Sequence, residues 1–471
     1  MRKYIYSVFV IFFMGAIQAQ EKELSLSMQE AVNYAIKNNY DNKTAVNNIE
    51  AAKKRKWETT TMGLPQINGK VDYQNWLKQQ VSVFPAGFAD SYSQIRQLSE
   101  FYDLSSLGII KEIPDAPTEG LAVPFGTKQS VNASVTLSQL IFDGSYLVGL
   151  QSAKTYLKIS EQAKEKTELA TREAVINAYG NVLVAQKTID ILEKNKNVLQ
   201  KNVNETQKIY DNGLTELENV EQLQITLGNI ENNLNNAQRL KIIGLQMLNI
   251  ALGTDLNTKV TLTDNLESLT LSNTNLSLLT EAFDIDNHID FRIAQNDRES
   301  KRLLMRLEQS KALPTLSAFI NYGANANSDS FTFFNGDQKW FDYSLFGVSL
   351  NVPIFSSLGR SAKTARARIE LENADIKLQE ITQKLNLQAE RAKSDYQLSI
   401  ENYETAKKNL ALSERIEKKQ QVKFFEGISS SFDLLQAQNQ LYTQQNNYVQ
   451  SMLNVIAKKA TLENALNIPV K

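Results

Sequence analysis

The 471-residue chain has no cysteine and only one histidine, His288. Disulfides, thiolate metal sites, cysteine nucleophiles and a lipid-modified N-terminal cysteine are therefore excluded, and a lone imidazole leaves little for metal or acid–base chemistry. Neither sign of charge is in excess. The 51 lysines and arginines balance 52 aspartates and glutamates, which argues against a nucleic-acid partner. No glycine motif of the GxxxxGK type is present to cradle a phosphate, and no cofactor is expected. Beyond the N-terminus there is no run of eighteen apolar residues, so if the mature chain crosses a membrane it must do so with strands.

The N-terminus, MRKYIYSVFVIFFMGAIQAQ, does carry an apolar run. Arg2 and Lys3 precede Tyr4 to Ile17, and Ala16-Ile17-Gln18-Ala19 offers a cleavage site. Residues 1–19 read as a signal peptide. A retained anchor helix is the alternative, but the run is short and polar sequence follows at once.

Two long helical tracts dominate what remains, from about Leu147 to Leu252 and from about Ser361 to Leu466. Apolar residues recur at three- and four-residue steps: Val220, Leu223, Leu227, Ile230, Leu234, Ala237; Ala185, Ile189, Leu192, Leu199, Val203; Leu434, Ala437, Leu441, Tyr448, Met452, Val455. These are seams of antiparallel coiled coils. Each tract is interrupted once, at YDNGLTE (210–216) and FFEGISSSFD (424–433). Gly213 and Gly427 suit the left-handed end of a helix. Thr215 with Glu218, and Ser430 with Asp433, are expected to form capping boxes that restart one.

The interruptions are 214 residues apart, as are Asn219 and Asp433, Gln222 and Gln436, and Leu227 and Leu441. The chain is internally duplicated. Upstream, LPQINGKVDY (64–73) is echoed by LPTLSAFINY (313–322), and SVTLSQLIFDGS (134–145) by GVSLNVPIFSSL (347–358). These segments alternate apolar and polar residues, as two-faced strands do. Residues 20–252 thus form a first repeat: a helix, strands around 64–80 and 129–143, and a long hairpin with its tip near 213. A connector spans 253–285. Residues 286–471 form the second repeat, with strands around 314–326 and 341–354 and a tip near 427. The loop at about 81–128, with Pro85, Pro114, Pro117 and Pro124, is long for a hairpin and typical of a functional surface loop.

Four amphipathic strands of ~10 residues each span a membrane's apolar band, but ~8 strands is the smallest usual transmembrane barrel. One chain cannot close a barrel, whereas several copies can, and three would give twelve strands. A helix from Leu147 to Tyr210 would extend ~100 Å, far more than a compact core needs. An ordinary coiled-coil stalk capped by a small sheet remains the plainer alternative.

In the order and spacing of these motifs the chain resembles the TolC-like outer membrane efflux proteins, the outer membrane factors, over essentially its whole mature length. The resemblance is carried by the duplicated LPQINGKVDY and LPTLSAFINY, by the joints SQLIFDGS and NVPIFSSLGR, and by the tips IYDNGLTELENVEQLQ and KFFEGISSSFDLLQAQNQL. It implies a mainly α fold with a four-strand contribution to a transmembrane β-barrel, continued by a long coiled-coil α-helical barrel and closed only as a homotrimer. The equator would comprise about 24–40, 253–285 and the C-terminal end. It also implies a passive exit duct in the outer membrane of a Gram-negative type envelope, with a large periplasmic portion. Its partners would be outer-membrane lipid, a periplasmic adaptor and an inner-membrane pump of RND or ABC type, for efflux or type I secretion. No enzyme activity is implied.

Residue roles follow from the same resemblance. Asp433 matches a position lining the closed periplasmic aperture, with Gln436 and the duplicate Asn219 nearby; a capping carboxylate is the equally weighted reading of Asp433. Gly213, Leu214, Thr215, Gly427, Ile428 and Ser429 would meet the adaptor, beside their plain turn chemistry. Tyr73, Trp76, Tyr322, Trp340 and Tyr343 would be membrane-interface aromatics, although strands favour aromatics in any case. The alternatives to a duct are a trimeric coiled-coil adhesin with a four-strand-per-chain anchor, and a periplasmic enzyme on a helical scaffold. An adhesin would place its four strands consecutively; here long helices separate the pairs.

Overall fold

The computed structural model describes residues 23–85, 93–102, 106, 108, 115 and 118–469. The expected signal peptide, residues 1–19, lies outside them. In chain order the elements are β1 (Leu24–Leu26), α1 (Met28–Asn38), α2 (Tyr40–Thr61), β2 (Gln66–Asn75), β3 (Val81–Phe84), α3 (Ser93–Tyr102), β4 (Leu121–Pro124), β5 (Gln129–Asp143), α4 (Gly144–Asp211), α5 (Leu217–Leu252), β6 (Val260–Leu262), α6 (Leu266–Ser272), a single-turn helix (Leu276–Leu279), α7 (Ile289–Ser310), β7 (Thr315–Ser328), β8 (Phe341–Asn351), α8 (Gly359–Phe425) and α9 (Ser431–Ala465).

The compact units do not follow the sequence repeats. Among the described residues, one unit gathers those up to Lys56, Gln151–Met305 and those from Thr364 onward; the other is Trp57–Leu150 with Arg306–Lys363. Each repeat gives its strands to the second unit and its hairpin to the first, because the strands of the two repeats pair with one another.

In the helical unit the coiled-coil seams are buried. Leu199 and Val203 of α4 pack with Leu223 and Ile230 of α5, and Ile189 packs with Leu234 and Ala237. The main core lies elsewhere, where α1, α4, α5, α6, α8 and α9 meet around Tyr179, Tyr396, Tyr403, Leu248, Met452 and Ile456. Two buried hydroxyls lock the connectors onto this core. Tyr179 donates to the Leu26 carbonyl at 3.0 Å and lies 3.0 Å from Asp264 Oδ2. Tyr396 donates to the Asn273 carbonyl at 2.6 Å. Burial pushes the Tyr396 hydroxyl up to about 12. β1 and β6 pair in parallel beside them. His288 is buried at the start of α7, where its Nδ1 accepts the Asp290 N–H at 3.2 Å; burial lowers its pKa.

In the sheet unit four antiparallel strands run in the order β2-β5-β7-β8. The register puts Ile67, Val71 and Tyr73 on one face with Val131, Val135, Leu137, Ile320, Tyr322, Phe346, Val348 and Leu350. The other face carries Asn68, Lys70, Asp72, Ser130, Asn132, Ser134, Thr136, Asn321 and Asn325. Asn321 Nδ2 donates to Thr136 Oγ1 at 2.6 Å across this polar face, and Lys70 pairs with Asp72 at 2.9 Å. Most of the apolar face is exposed, and β2 and β8 each leave one edge unpaired within the sheet. Among the described residues no helix is long and apolar enough to cross a membrane.

The long loop of the first repeat is partly ordered structure rather than plain loop. β3 and β4 form an antiparallel pair, Val81 opposite Pro124 and Phe84 opposite Leu121, with α3 in the intervening segment. The two strand-to-helix joints also differ. Asp143 Oδ1 accepts the Ser145 N–H at 2.7 Å, so α4 starts directly from β5. Before α8, Ser357 and Leu358 take left-handed φ values of 49° and 64°, a conformation costly for residues with a Cβ.

Candidate functional site at the hairpin tips

Both tips end their first helix identically. Gly213, at φ 72°, donates to the Tyr210 carbonyl at 2.7 Å, and Leu214 donates to the Ile209 carbonyl at 3.0 Å. Gly427, at φ 75°, donates to the Phe424 carbonyl at 3.0 Å, and Ile428 donates to the Lys423 carbonyl at 2.8 Å. This is the two-bond Schellman closure, which needs a left-handed residue just past the helix. A Cβ on either glycine would meet nothing within 4 Å, so backbone conformation rather than space requires glycine. The residues that follow, Leu214 and Ile428, are 78% and 69% exposed.

The restarts are not identical. Ser430 and Asp433 form the expected capping box: Ser430 Oγ accepts the Asp433 N–H at 3.2 Å, and Asp433 Oδ2 accepts the Ser430 N–H at 3.1 Å. Those bonds hold the Asp433 carboxyl below its usual range. The Thr215–Glu218 box does not form. The chain takes one more residue before α5 begins, so Glu216 is the cap residue and makes no side-chain cap bond. Thr215 Oγ1 instead accepts from Asn219 Nδ2 at 2.8 Å.

Asn219 also hydrogen-bonds Ser431, whose hydroxyl lies 3.2 Å from Gln222 Oε1, and this ties one tip to the other. Of the three aperture candidates, Asn219 is therefore engaged between the hairpins. Asp433 holds the cap, and Gln436 is exposed one turn further on. Leu434, Ala437 and Leu441 form the buried seam of α9.

Between the tips lies a cavity of about 410 Å³ lined by Ile209, Leu214, Thr215, Phe424, Phe425, Gly427 and Ser429, among others. Sequence reasoning missed the polar stretch of the seam that leads up to it. Asn195 Nδ2 donates to Gln445 Oε1 at 2.8 Å, and Gln421 Nε2 to Asn202 Oδ1 at 3.1 Å. Thr206 Oγ1, Asn202 Nδ2, Ser429 Oγ and both amide atoms of Gln438 are buried with no hydrogen-bond partner. Burial raises the pKa of the half-buried Glu417 carboxyl, which faces Gln438, and burial also raises that of Tyr442 beside it. The available signal was polar residues at seam spacing, Asn195, Asn202 and Thr206 interleaved with Leu192 and Leu199.

The expected interface aromatics do not form one group. Tyr73 is near a strand end on the apolar face, and Tyr322 is on that face at mid-strand. Tyr343 is on the polar face, because β8 carries apolar residues out of phase. Its ring covers Gly323, and its hydroxyl donates to Asn132 Oδ1 at 3.0 Å. Trp76 and Trp340 lie just beyond their strands, and Trp76 lines a cavity of about 290 Å³ with Gln79, Gln80 and Phe125.

The family model of outer membrane efflux proteins matches residues 123–254 and 285–467, one segment in each repeat. The chain belongs to the outer membrane efflux protein family. No curated protein matches its sequence. Among solved structures, CusC aligns with a TM-score of 0.70 at 14% identity, covering 93% of this chain and 92% of that one. VceC from Vibrio cholerae gives 0.68 at 14% identity, covering 94% and 97%. The Campylobacter jejuni CmeC outer membrane channel gives 0.68 at 16% identity, covering 93% and 85%. At these identities the likeness establishes the fold, a helical barrel with a β-barrel contribution. Family membership makes the chain an outer membrane efflux protein. The outer membrane efflux family is one of channels rather than enzymes.

Proposed function

We propose that the chain is the exit duct of a tripartite export system, closed only when three copies assemble. One observation carries this reading: a four-stranded sheet with an exposed apolar face and unpaired edges on β2 and β8. Open edges are not tolerated in lipid. Three sheets joined β8 to β2 would give twelve antiparallel strands with the apolar face outward and the polar face lining a water-filled lumen. The three sets of hairpins would continue that lumen through the periplasm.

The tips meet a periplasmic adaptor, recruited with an inner-membrane pump of RND or ABC type that supplies the energy for efflux or type I secretion. Gly213, Leu214 and Thr215, with Gly427, Ile428 and Ser429, form the contact. Exposed Leu214 and Ile428 at equivalent points of both tips support that assignment. Asp433, one copy per subunit, faces the aperture while it caps α9, and it favours cations there.

The cysteine-free chain makes closure testable. Asp72→Cys on β2 is combined with cysteines scanned along positions 342–350 of β8. At the matching register, oxidation should give a disulfide-linked species that stops at three chains. Persistent monomers at every position, or a ladder running past three, would overturn the reading.

A further inference from the structure

The loop between β7 and β8 is built to face outward over the apolar side of the sheet. β7 continues for Ala326, Asn327 and Ser328 beyond its pairing with β8. The chain then turns under a polar clip. Thr332 Oγ1 donates to Gln338 Oε1 at 2.6 Å, Asn335 N–H donates to the Thr332 carbonyl at 2.9 Å, and Lys128 N–H donates to Asp329 Oδ1 at 3.0 Å.

The clip turns the aromatic residues toward one side. Phe331 and Phe333 meet the Tyr73 ring edge-on at 5.8 and 6.1 Å, and each other at 5.6 Å. Tyr73 pairs with Val131, which pairs in turn with Ala326. Phe333 is buried and Ala326 is 0% exposed, on a face whose other residues are mostly open. Phe334, 5.8 Å from Phe331, is 89% exposed. On the lumenal face the aromatic cluster would not touch Tyr73.

We propose that this loop is a lipid-interface anchor, with Phe331 and Phe334 set at the boundary between headgroups and acyl chains around the outer rim. The proposal rests on the reading of the apolar face as lipid-facing. Continuity with that face identifies the occupant. Along β7 the apolar-face positions run from Leu316 to Ala326, ~33 Å along a strand and ~25 Å in height at the usual barrel tilt. The aromatic cluster thus begins where the apolar band ends, which is where amphipathic belts form, and Asp337 and Lys339 follow it on the water side.

Phe334→Trp, placed in full-length protein with Trp57, Trp76 and Trp340 changed to Phe, reports its depth in phosphatidylcholine vesicles with brominated chains. Its emission should fall about twofold with bromines near the headgroup and less with bromines near the bilayer centre. Val71→Trp in the same background should show the reverse. If Val71→Trp is quenched and Phe334→Trp is not, the anchor is overturned and the lipid-facing sheet stands. If neither is quenched, both fall. Should the tryptophan-free background fail to assemble, Phe334→Cys labelled with bimane in the otherwise native chain replaces it. Blue-shifted emission on reconstitution supports the anchor, and water-like emission overturns it.

Discussion

The helical unit is built differently at its two ends. In the main core, six helices pack around Tyr179, Tyr396, Tyr403, Met452 and Ile456, and the Tyr179 and Tyr396 hydroxyls donate to the backbone carbonyls of Leu26 and Asn273. Near the tips the seam turns polar. Asn202 and Thr206 are fully buried there, several buried polar atoms lack partners, and a cavity of about 410 Å³ separates the hairpins. A core packed with large aromatic and apolar side chains opens only at high cost, whereas a seam that buries polar residues opens locally at lower cost. The contrast assigns rigidity to one end and movement to the other, as the proposed duct with tips that open would require.

The strongest way to break this comparison is to weaken the end that should be fixed. Met452→Ala removes a fully buried side chain from the main core and should cost ~2–5 kcal/mol. A large loss of thermal stability in detergent is expected. Leu214→Ala, at an exposed tip residue, should leave the melting temperature unchanged and weaken only adaptor crosslinking. Equal thermal effects would mean that the two ends are not energetically distinct.

Next in size is an attempt to make the movable end rigid. Thr206→Val replaces a buried hydroxyl that has no hydrogen-bond partner with an apolar group of the same shape, and the unsatisfied group removed is worth ~1–3 kcal/mol. Amide exchange around 424–436 should slow by at least about tenfold, and single-channel conductance should fall. If the native tips already exchange as slowly as the core around Tyr396, the comparison is wrong.

Much of this asymmetry was legible in the sequence and some of it was not, for identifiable reasons. The seams Val220 to Ala237 and Leu434 to Val455 could be read because apolar period maps directly onto burial in a helix. Gly213 and Gly427 could be read because a left-handed helix end has so few other solutions. The failures are of two kinds. Thr215–Glu218 matches a capping pattern that a one-residue shift defeats, and β8 is apolar on both faces, so alternation does not fix the side on which Tyr343 lies. The contacts Asn219–Ser431 and Asn195–Gln445 join residues 212 and 250 positions apart. No local pattern specifies such partners.

A smaller effect separates the two tips from each other. Ser430→Ala removes a cap that is present and should cost ~1 kcal/mol of local stability. Thr215→Ala removes only a hydroxyl that accepts from Asn219 and should cost less. The measurement is amide exchange at the first turn of α9 against the first turn of α5. An equal response would show that the capping difference has no energetic consequence.

The smallest expected effect is a pH response confined to the tips. Burial raises the folded pKa of Glu417 above its ordinary 4.5. In that window the folded tip holds the proton more tightly than the opened one, so the tip is most stable below 4.5 and loses stability as pH rises to the raised value. Asp433 acts in the opposite sense. Its bonds to Ser430 lower its pKa below 3.8, so its contribution is present above that value and is lost as pH falls further. Above its ordinary 4.5 the Glu417 effect dominates, and a bimane label near Gly427 should report a more mobile tip as pH rises. Glu417→Gln, which keeps the shape and removes the charge, should flatten that response and hold the tip in its low-pH state, while the core reports no change in either protein. A response unaltered by this substitution would move the titrating group elsewhere.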